Sequence, residues 1–210
     1  MQLTVFGGTG GTGRQLIGAA LDAGHQVTAA VREPARISTS HERLQTVRAD
    51  VLDPGSLDGT MAGADAVVSA LGAPANRPTT VYSTGVANIL DAMRSASVTR
   101  FVGISAVPVR PREQASSLER LVVYPVLYRI FGEGYADMAR MEHVLRRSDA
   151  DWTILRPPRL TDRPATGRYR LAVNDHLPRG RTISRADLAA AMLRVIDEEC
   201  AVRATVELAY

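Results

Sequence analysis

Residues 4–13 read TVFGGTGGTG and place Gly7, Gly10 and Gly13 at the spacing G-x-x-G-x-x-G. A short apolar run comes before these glycines and a helix-like run follows them. A strand that enters such a loop and leaves as a helix forms an anion site, because glycine lets the backbone approach a pyrophosphate and the first helical N–H groups point at it. A glycine-rich loop by itself often only turns the chain. Here a second apolar run follows the helix, so the pattern predicts a dinucleotide-binding unit of strand, loop, helix and strand.

The part of this unit that would hold the pyrophosphate is the glycine-rich turn, residues 7–13, which we call the glycine cradle. Small side chains and hydroxyl groups leave its backbone N–H groups open to an anion. The cofactor-binding residues predicted in it are Gly7, Thr9, Gly10, Gly11, Thr12 and Gly13.

The composition is that of one compact domain without a membrane span. The chain has 210 residues, 45% of them hydrophobic, and no apolar stretch reaches the roughly 18 residues of a transmembrane helix. No basic and then apolar leader opens the sequence, and the single cysteine, Cys200, cannot form an internal disulfide. The cytoplasm is therefore the expected compartment. We expect a monomer or a homodimer with no membrane partner, and no metal site, since His143 and Cys200 stand alone.

The net charge is +3, and all 25 basic residues are arginines because the sequence contains no lysine. No basic run carries interleaved aromatic residues, so nucleic acid is not an expected partner. Eight of the arginines fall within residues 156–185, where the only acids are two aspartates. They form either a solvated surface or a grip for an anionic acceptor. Arg159 is the best candidate for the second role, because Pro157 and Pro158 direct it from a strand end toward the ligand edge.

Short apolar runs alternate with helix-like segments along the chain. This alternation predicts an α/β fold whose mainly parallel sheet of about seven strands is covered by helices on both faces, with the strand ends meeting at one edge where ligands bind. The strand candidates are Leu3–Phe6, Gln26–Val31, Leu44–Arg48, Ala66–Leu71, Phe101–Ser105, Thr153–Leu155 and Thr205–Leu208. The helix candidates are Thr12–Ala23, Pro54–Ala62, Thr79–Ala96, Ala136–Arg147 and Arg185–Glu198.

Two regions interrupt this alternation and are the candidates for covering a substrate. Residues 106–134 begin with a proline- and arginine-rich stretch and then become apolar. Residues 157–182 are rich in proline, glycine and arginine and contain one strand-like run, Tyr169–Val173. Both regions follow strand ends, so both would lie over the ligand edge. We therefore predict a single NAD(P)-binding domain over residues 1–210 with these two insertions.

The end of the second strand predicts which dinucleotide is bound. Dinucleotide sites place an acid there to bind the ribose hydroxyls, or an arginine to accept a 2′-phosphate. Arg32 stands at that position, no acid comes before it, and Arg36 follows four residues later. Guanidinium groups bind phosphate bidentately. We therefore predict NADP(H) over NAD(H), with an exposed loop surface as the alternative for both arginines.

Two further strand ends fit the same ligand. Asp50 and Val51 follow the third strand, where they would meet the adenine, although a turn residue is an equally good interpretation of Asp50. Ala70, Leu71 and Gly72 end the fourth strand, where Gly72 would let the backbone lie against the ribose.

Together with the runs Pro78–Val81 and Arg156–Pro158, these features resemble the NAD(P)H-binding, NmrA-like family of atypical short-chain dehydrogenase/reductases. Within that family the flavin reductase/biliverdin-IXβ reductase group is the most similar, and the resemblance covers nearly the full length. It implies a Rossmann-type doubly wound fold, an NADPH requirement, and hydride transfer to an acceptor stacked on the nicotinamide. It also implies that Arg77 and Pro157 lie near the cofactor.

The sequence departs from this resemblance at the catalytic pair. Most short-chain dehydrogenases use Tyr-x-x-x-Lys, in which the lysine lowers the pKa of the tyrosine so that the phenol can exchange a proton with the substrate. No lysine exists here, and alignment on Glu142 puts Gly134 and Met138 where that pair would stand. Tyr135 is adjacent but has no basic partner. Two histidines of the flavin reductase group are replaced by Met138 and Arg159, so the candidate substrate contacts are Tyr135, Met138 and Arg159.

Ser105 closes the fifth strand, where the family keeps its active-site serine. Its hydroxyl would bind the acceptor or fix the nicotinamide, and the alternative is a serine satisfied by the backbone. No base is expected beside it, but a flavin or another conjugated acceptor can take its proton from water. Such an enzyme needs mainly to hold two rings together.

The sequence therefore predicts an NADPH-dependent oxidoreductase that transfers hydride to a small flavin-, quinone- or tetrapyrrole-like acceptor. The arginine-rich region would suit an anionic acceptor. The alternative is an NADP(H)-binding redox-sensing or regulatory protein without turnover, which the missing Tyr-Lys pair favours. An epimerase or a dehydratase ranks last, because it too would normally use Tyr and Lys.

Overall fold

An eight-stranded sheet forms the centre of the computed structural model, which describes residues 1–74, 77–110 and 119–210. Two further short strands pair with each other in a separate sheet. The strands of the described residues are β1 Gln2–Phe6, β2 Gln26–Val31, β3 Leu44–Arg48, β4 Ala66–Ser69, β5 Arg100–Ile104, β6 Asp151–Arg156, β7 Arg159–Thr161, β8 Arg170–Val173, β9 Thr182–Ser184 and β10 Ala204–Ala209.

The strand order of the large sheet is β3-β2-β1-β4-β5-β6-β10-β8. All neighbours pair in parallel except β8, which pairs antiparallel with β10. All seven predicted strands are present and the predicted α/β class is confirmed; the predicted strand-like run near residue 170 adds the antiparallel edge. The chain moves outward from β1 in one direction through β2 and β3, and in the other direction through β4, β5 and β6. Such a reversal opens a crevice at the carboxyl ends of the strands.

Helices cover both faces of the sheet, as the alternation predicts. The α-helices of the described residues are α1 Gly11–Asp22, α2 Ser83–Ser95, α3 Tyr124–Arg147 and α4 Arg185–Arg194. One apolar cluster joins the sheet to α1 and α4 through side chains such as Leu16 and Leu188, and a second joins it to α2 and α3 through Ile89 and Met141. Both clusters are almost fully buried, so the sheet is apolar on each face, as parallel sheets are.

The prediction of a helix over Pro54–Ala62 is wrong. A short 3₁₀ turn spans Pro54–Leu57, and turns follow it. Gly59 has φ +72° and Gly63 has φ +71°, which is a left-handed conformation that interrupts a right-handed helix. Asp53, whose side chain makes no capping hydrogen bond, and Pro54 thus start a turn, and the two glycines prevent it from extending.

Helix α3 begins earlier than the predicted start at Ala136, because the apolar second half of region 106–134 is helical. It begins at Tyr124 and leaves several large apolar side chains exposed, among them Val122, Val126 and Ile130 just before and within its first turns. Residues 111–118 of this predicted insertion lie outside the described residues. No helix over the described residues is both long and apolar enough to span a membrane.

Two buried charged groups fix the strands that carry the site. The Arg100 guanidinium donates to the carbonyl of Ile196 at 2.9 Å and to the hydroxyl of Thr153 at 2.8 Å, so it joins β5 to β6 and to the end of α4. Glu142 accepts from Arg156 Nε at 2.9 Å, which ties α3 to the last residue of β6. A buried ion pair of this kind is costly to break because the remaining charge has no solvent.

Candidate functional site

Two of the three fingerprint glycines, Gly7 and Gly13, are required by steric contact. Gly7 has φ +77°, and a Cβ there would come 2.4 Å from the carbonyl oxygen of Ala70. Gly10 donates its N–H to the carbonyl of Gly7 at 3.0 Å, which closes the turn. A Cβ on Gly13 would come 2.2 Å from that same carbonyl oxygen, so only glycine lets α1 pack this closely on β1. These are the roles that a dinucleotide fingerprint gives its glycines.

A cavity of about 550 Å³ opens beside the cradle, at the carboxyl ends of β1, β2, β4, β5 and β6. We call it the main cavity. It lies at the crevice that the strand order creates, and its size suits a ligand site. The backbone of α1 begins there without a capping side chain and without an acid in its first turn, so the first N–H groups are open to an anion. The described residues therefore fit a bound dinucleotide.

Most of the predicted site residues line this one cavity. It brings together parts of the chain that are far apart in sequence, from the cradle to the end of β6. The predicted residues in its wall are Gly7, Thr9, Gly10, Gly11, Thr12, Arg32, Asp50, Val51, Ala70, Leu71, Gly72, Ser105, Met138 and Pro157. The predicted residues outside its wall are Gly13, Arg36, Arg77, Arg159 and Tyr135.

Ser105 differs from the other polar side chains of the wall. The residue is 2% exposed, and its N–H donates to the carbonyl of Leu155 at 2.8 Å. Its hydroxyl, in contrast, has no hydrogen-bond partner among the described residues. A buried hydroxyl without a partner costs free energy. This hydroxyl borders a cavity, so a bound molecule could supply the missing hydrogen bond.

Asp50 is a turn residue, and it also lies in the wall of the main cavity. Its carboxylate accepts the N–H of Leu52 at 3.0 Å, which is an Asx turn, and its own N–H donates to the hydroxyl of Ser56 at 2.8 Å. Asn88 holds the next residue in place by donating to the carbonyl of Val51 at 2.8 Å.

The two predicted phosphate-binding arginines are placed differently. Arg32 is exposed and lines the main cavity at the end of β2. Arg36 is one 3₁₀ turn further on, outside the wall, with Nη1 3.6 Å from the carboxylate of Glu33. Both of those side chains are more than half exposed, so the pair is weak and Arg36 can change partner at little cost.

Arg159 and the main cavity lie on opposite faces of the short strand β7. Side chains alternate along β7, and Leu160 lines the main cavity while Arg159 is exposed. The period of two explains this placement. Pro157 and Pro158 do reach the wall, so the two prolines mark the ligand edge and the arginine points away from it.

Tyr135 packs one layer behind the cavity rather than in it. Its ring centroid lies 5.4 Å from that of Tyr128 and 5.9 Å from that of Phe131, and Phe131 lines the cavity. Burial, together with neighbouring tyrosines, raises the pKa of Tyr135 to about 12. The phenol is therefore protonated at neutral pH, opposite to the lowered pKa of a Tyr-x-x-x-Lys pair.

Tyr82 is a polar residue of the wall and was not among the predicted site residues. Its phenol oxygen accepts the N–H of Ala73 at 3.0 Å, and burial raises its pKa. Its backbone N–H donates to the fully buried carboxylate of Asp137 at 2.9 Å, and the N–H of Ser83 donates to the same oxygen at 3.3 Å. Asp137 of α3 thus caps the start of α2 and fixes this side of the cavity.

Other wall residues that sequence reasoning did not single out are mostly apolar. Two signals could have found them: the residue next to each predicted strand end, and the alternation along β7. They are Phe6, Ala30, Val31, Ala49, Ala73, Val81, Ile104, Ala106, Phe131, Pro158, Leu160 and Arg185.

Comparison with known proteins gives relatives along almost the whole chain. A family model described as NAD(P)H-binding matches residues 7–199. An uncharacterised chloroplastic protein of Arabidopsis thaliana is 31% identical over 195 residues, which cover 89% of this chain and 68% of the relative. An uncharacterised sugar epimerase of Bacillus subtilis, YhfK, is 28% identical over 206 residues, which cover 95% of this chain and 89% of the relative.

The fold is shared with solved structures. A short-chain dehydrogenase/reductase of Veillonella parvula, solved in complex with NADP, superposes with a TM-score of 0.82. The superposition covers 100% of this chain and 94% of that chain, at 19% sequence identity. A sequence identity this low shows a common fold alone. The substrate of this chain has to be argued from its own residues.

Proposed function

Because the chain belongs to the NAD(P)H-binding family, we propose that it is an NADPH-dependent reductase that transfers hydride to a flavin-, quinone- or tetrapyrrole-like acceptor. The cofactor supplies the hydride, and the protein supplies the surface on which donor and acceptor meet. The observation that carries the proposal is the unpartnered hydroxyl of Ser105, which is buried at a strand end and borders the main cavity.

The preference for NADPH rests on Arg32. It is an exposed guanidinium in the wall of the main cavity, at the strand end where a dinucleotide site meets the adenosine ribose. Arg36 stands one turn away, held only by an exposed ion pair. Two guanidinium groups favour a phosphate there. At the end of β2 the cavity wall contains no acid, which is the residue type that would favour a free 2′-hydroxyl.

The class of acceptor follows from the rest of the wall. Phe131, Met138, Pro158 and Leu160 present apolar and aromatic surface to the cavity, which suits a flat conjugated ring. The sequence contains no lysine, and the tyrosine nearest to the expected catalytic position has a raised pKa. A simple carbonyl needs a proton donor at the reacting oxygen, whereas a conjugated acceptor can be protonated from water.

Steady-state oxidation of NADPH tests this proposal. The acceptors are FMN, a water-soluble quinone and a small aldehyde. We expect turnover with FMN or the quinone and none with the aldehyde. Because Arg159 is exposed and lies outside the cavity wall, Arg159→Ala should leave KM for FMN unchanged. Turnover with the aldehyde alone, or with none of the three, would contradict the reductase proposal.

The alternative function is an NADP(H)-binding redox sensor that signals through a partner without turnover. One observation favours it: Val122, Val126 and Ile130 expose an apolar stripe at the start of α3, and exposed apolar patches often mark interaction surfaces. Tight NADPH binding with no oxidation of NADPH by any acceptor is the result that this alternative predicts.

A further inference from the structure

The first residues of two helices lie against each other at the glycine cradle. Gly11 begins α1 and Arg185 begins α4. A Cβ on Gly11 would come 2.9 Å from Cδ and 3.0 Å from Nε of Arg185. The arginine stem therefore lies directly across the backbone where α1 starts, and Arg185 also lines the main cavity.

The guanidinium of Arg185 has an exchangeable partner. Its Nη1 lies 2.6 Å from Oδ1 of Asp162, a residue of the segment that follows β7. The Asp162 side chain is 87% exposed, so the carboxylate stays hydrated when the pair breaks. Ion pairs with so exposed a carboxylate contribute little to stability. A ligand anion that offers a bidentate, less hydrated contact would replace Asp162 readily.

The positive charge at this position favours binding of such an anion. A helix start carries a partial positive charge, so a cation as the first residue of a helix is unfavourable. Here the side chain of Arg185, the first residue of α4, lies against the start of α1, so its guanidinium adds positive charge beside a second helix start. The acid in the first turn of α4, Asp187, is fully buried and already accepts from Tyr210, Thr166 and Gly167. Asp162 is thus the acid that contacts Arg185, and it is an exposed one.

We propose that Arg185 binds the pyrophosphate of the dinucleotide, and that Asp162 holds the guanidinium in place until the pyrophosphate takes it over. This inference rests on the dinucleotide site of the proposed function, and not on the identity of the acceptor. It gives Arg185 and Asp162 opposite effects on affinity. Arg185 adds a charge-assisted contact to the ligand, whereas Asp162 competes with the ligand for the same guanidinium.

Calorimetric titration with NADP⁺ measures both effects. Arg185→Met should weaken binding by about ten- to fiftyfold, the range expected for a charge-assisted hydrogen bond. Asp162→Asn should tighten binding by about two- to fivefold, since an exposed pair is removed. Arg163→Met is the matched control: it removes the same charge from the exposed neighbouring residue and should change the dissociation constant by less than about twofold.

Two ligand fragments separate the pyrophosphate from the 2′-phosphate. ADP carries the diphosphate without the 2′-phosphate, whereas 2′-AMP carries only the 2′-phosphate. Arg185→Met should weaken binding of ADP and leave binding of 2′-AMP nearly unchanged. Because Asp162 is exposed, Asp162→Asn provides a test that does not depend on the folding of Arg185→Met.

Several outcomes would overturn the inference. They are weaker binding to Asp162→Asn, equal losses in Arg185→Met and Arg163→Met, wild-type affinity in Arg185→Met, and no NADP⁺ binding by the wild-type protein. Failure of the proposed reductase is a distinct result: no acceptor is reduced, while the opposite effects of the two substitutions on NADP⁺ affinity remain.

Discussion

Ser105→Ala is a substitution for which we expect opposite effects on stability and on activity. Its buried hydroxyl has no partner among the described residues, so Ser105→Ala removes an unpaired polar group from the free protein. We expect the free energy of unfolding to stay equal or to rise slightly. In the loaded enzyme the same substitution removes one hydrogen bond to ligand, so kcat/KM for the acceptor should fall about three- to tenfold.

Thr4→Val is the matched control for this prediction. Thr4 is a buried residue of β1 whose hydroxyl donates to the carbonyl of Thr60 at 3.1 Å. Removing that hydroxyl leaves a buried carbonyl without its donor, so stability should fall by about 1 kcal/mol with unchanged kcat/KM. Chemical denaturation and steady-state kinetics measure both quantities. A Ser105→Ala protein that loses stability and keeps full activity would show the hydroxyl to be structural.

We expect Arg32 to determine whether the protein prefers NADPH or NADH. Arg32→Ala should raise the dissociation constant for NADPH about ten- to a hundredfold and change that for NADH by less than about twofold, because only NADPH carries the 2′-phosphate. Fluorescence titration with both cofactors measures this. Arg94→Ala, which removes an exposed guanidinium on α2, should leave both constants unchanged. Equal affinity of the wild-type protein for NADPH and NADH would exclude a phosphate site at Arg32.

At the scale of elements, Asp187 anchors the segment after β7 to α4 and to the chain end. The carboxylate accepts from the N–H groups of Thr166 and Gly167 and from the hydroxyl of Tyr210. Burial alone would raise the pKa of Asp187, but these hydrogen bonds lower it below its ordinary 3.8. Because the pKa of Asp187 is lower in the folded than in the unfolded state, the stabilisation is fully present above the ordinary pKa, at about pH 4. It is lost progressively as the pH falls from there through the lower folded-state pKa.

Asp187→Asn should therefore lower the free energy of unfolding by at least about 2 kcal/mol at pH 7, since several charge-assisted hydrogen bonds lose their acceptor. The gap from the wild-type protein should narrow below about pH 4, because the carboxylate of the unfolded wild-type chain takes up a proton there and that of the folded protein follows at lower pH. Urea denaturation at several pH values measures the gap. Asp91→Asn, at an exposed residue, should show almost no gap. A gap that stays constant down to pH 3 would contradict the role of the ionised carboxylate.

At the scale of the whole molecule, local pattern predicted the sheet well. Alternating apolar runs are buried on both faces of a parallel sheet, so each strand is visible in the sequence by itself. The cradle was equally visible, because two of its glycines are required by backbone contacts with Ala70 and with Gly7 itself. The predicted cofactor-binding residues at strand ends followed from the strand pattern and the glycine cradle, without any information on contacts between distant segments.

Features that depend on contacts between distant segments were not predictable in the same way. The placement of Arg185 against Gly11 requires α1 and α4 to pack side by side, and no spacing in the sequence encodes that. Arg159 was expected at the cavity because two prolines precede it, whereas the alternation along β7 places Leu160 there instead. The cap that Asp137 gives α2 spans 55 residues and has no local signal.

A crystal structure of the protein grown with excess NADPH tests the central claim most directly. We expect the pyrophosphate on the backbone N–H groups of the glycine cradle, the 2′-phosphate beside Arg32, and the nicotinamide within reach of the Ser105 hydroxyl. A structure in which the cradle stays empty at saturating NADPH, or in which the dinucleotide lies elsewhere on the protein, would contradict both the site and the reductase proposal.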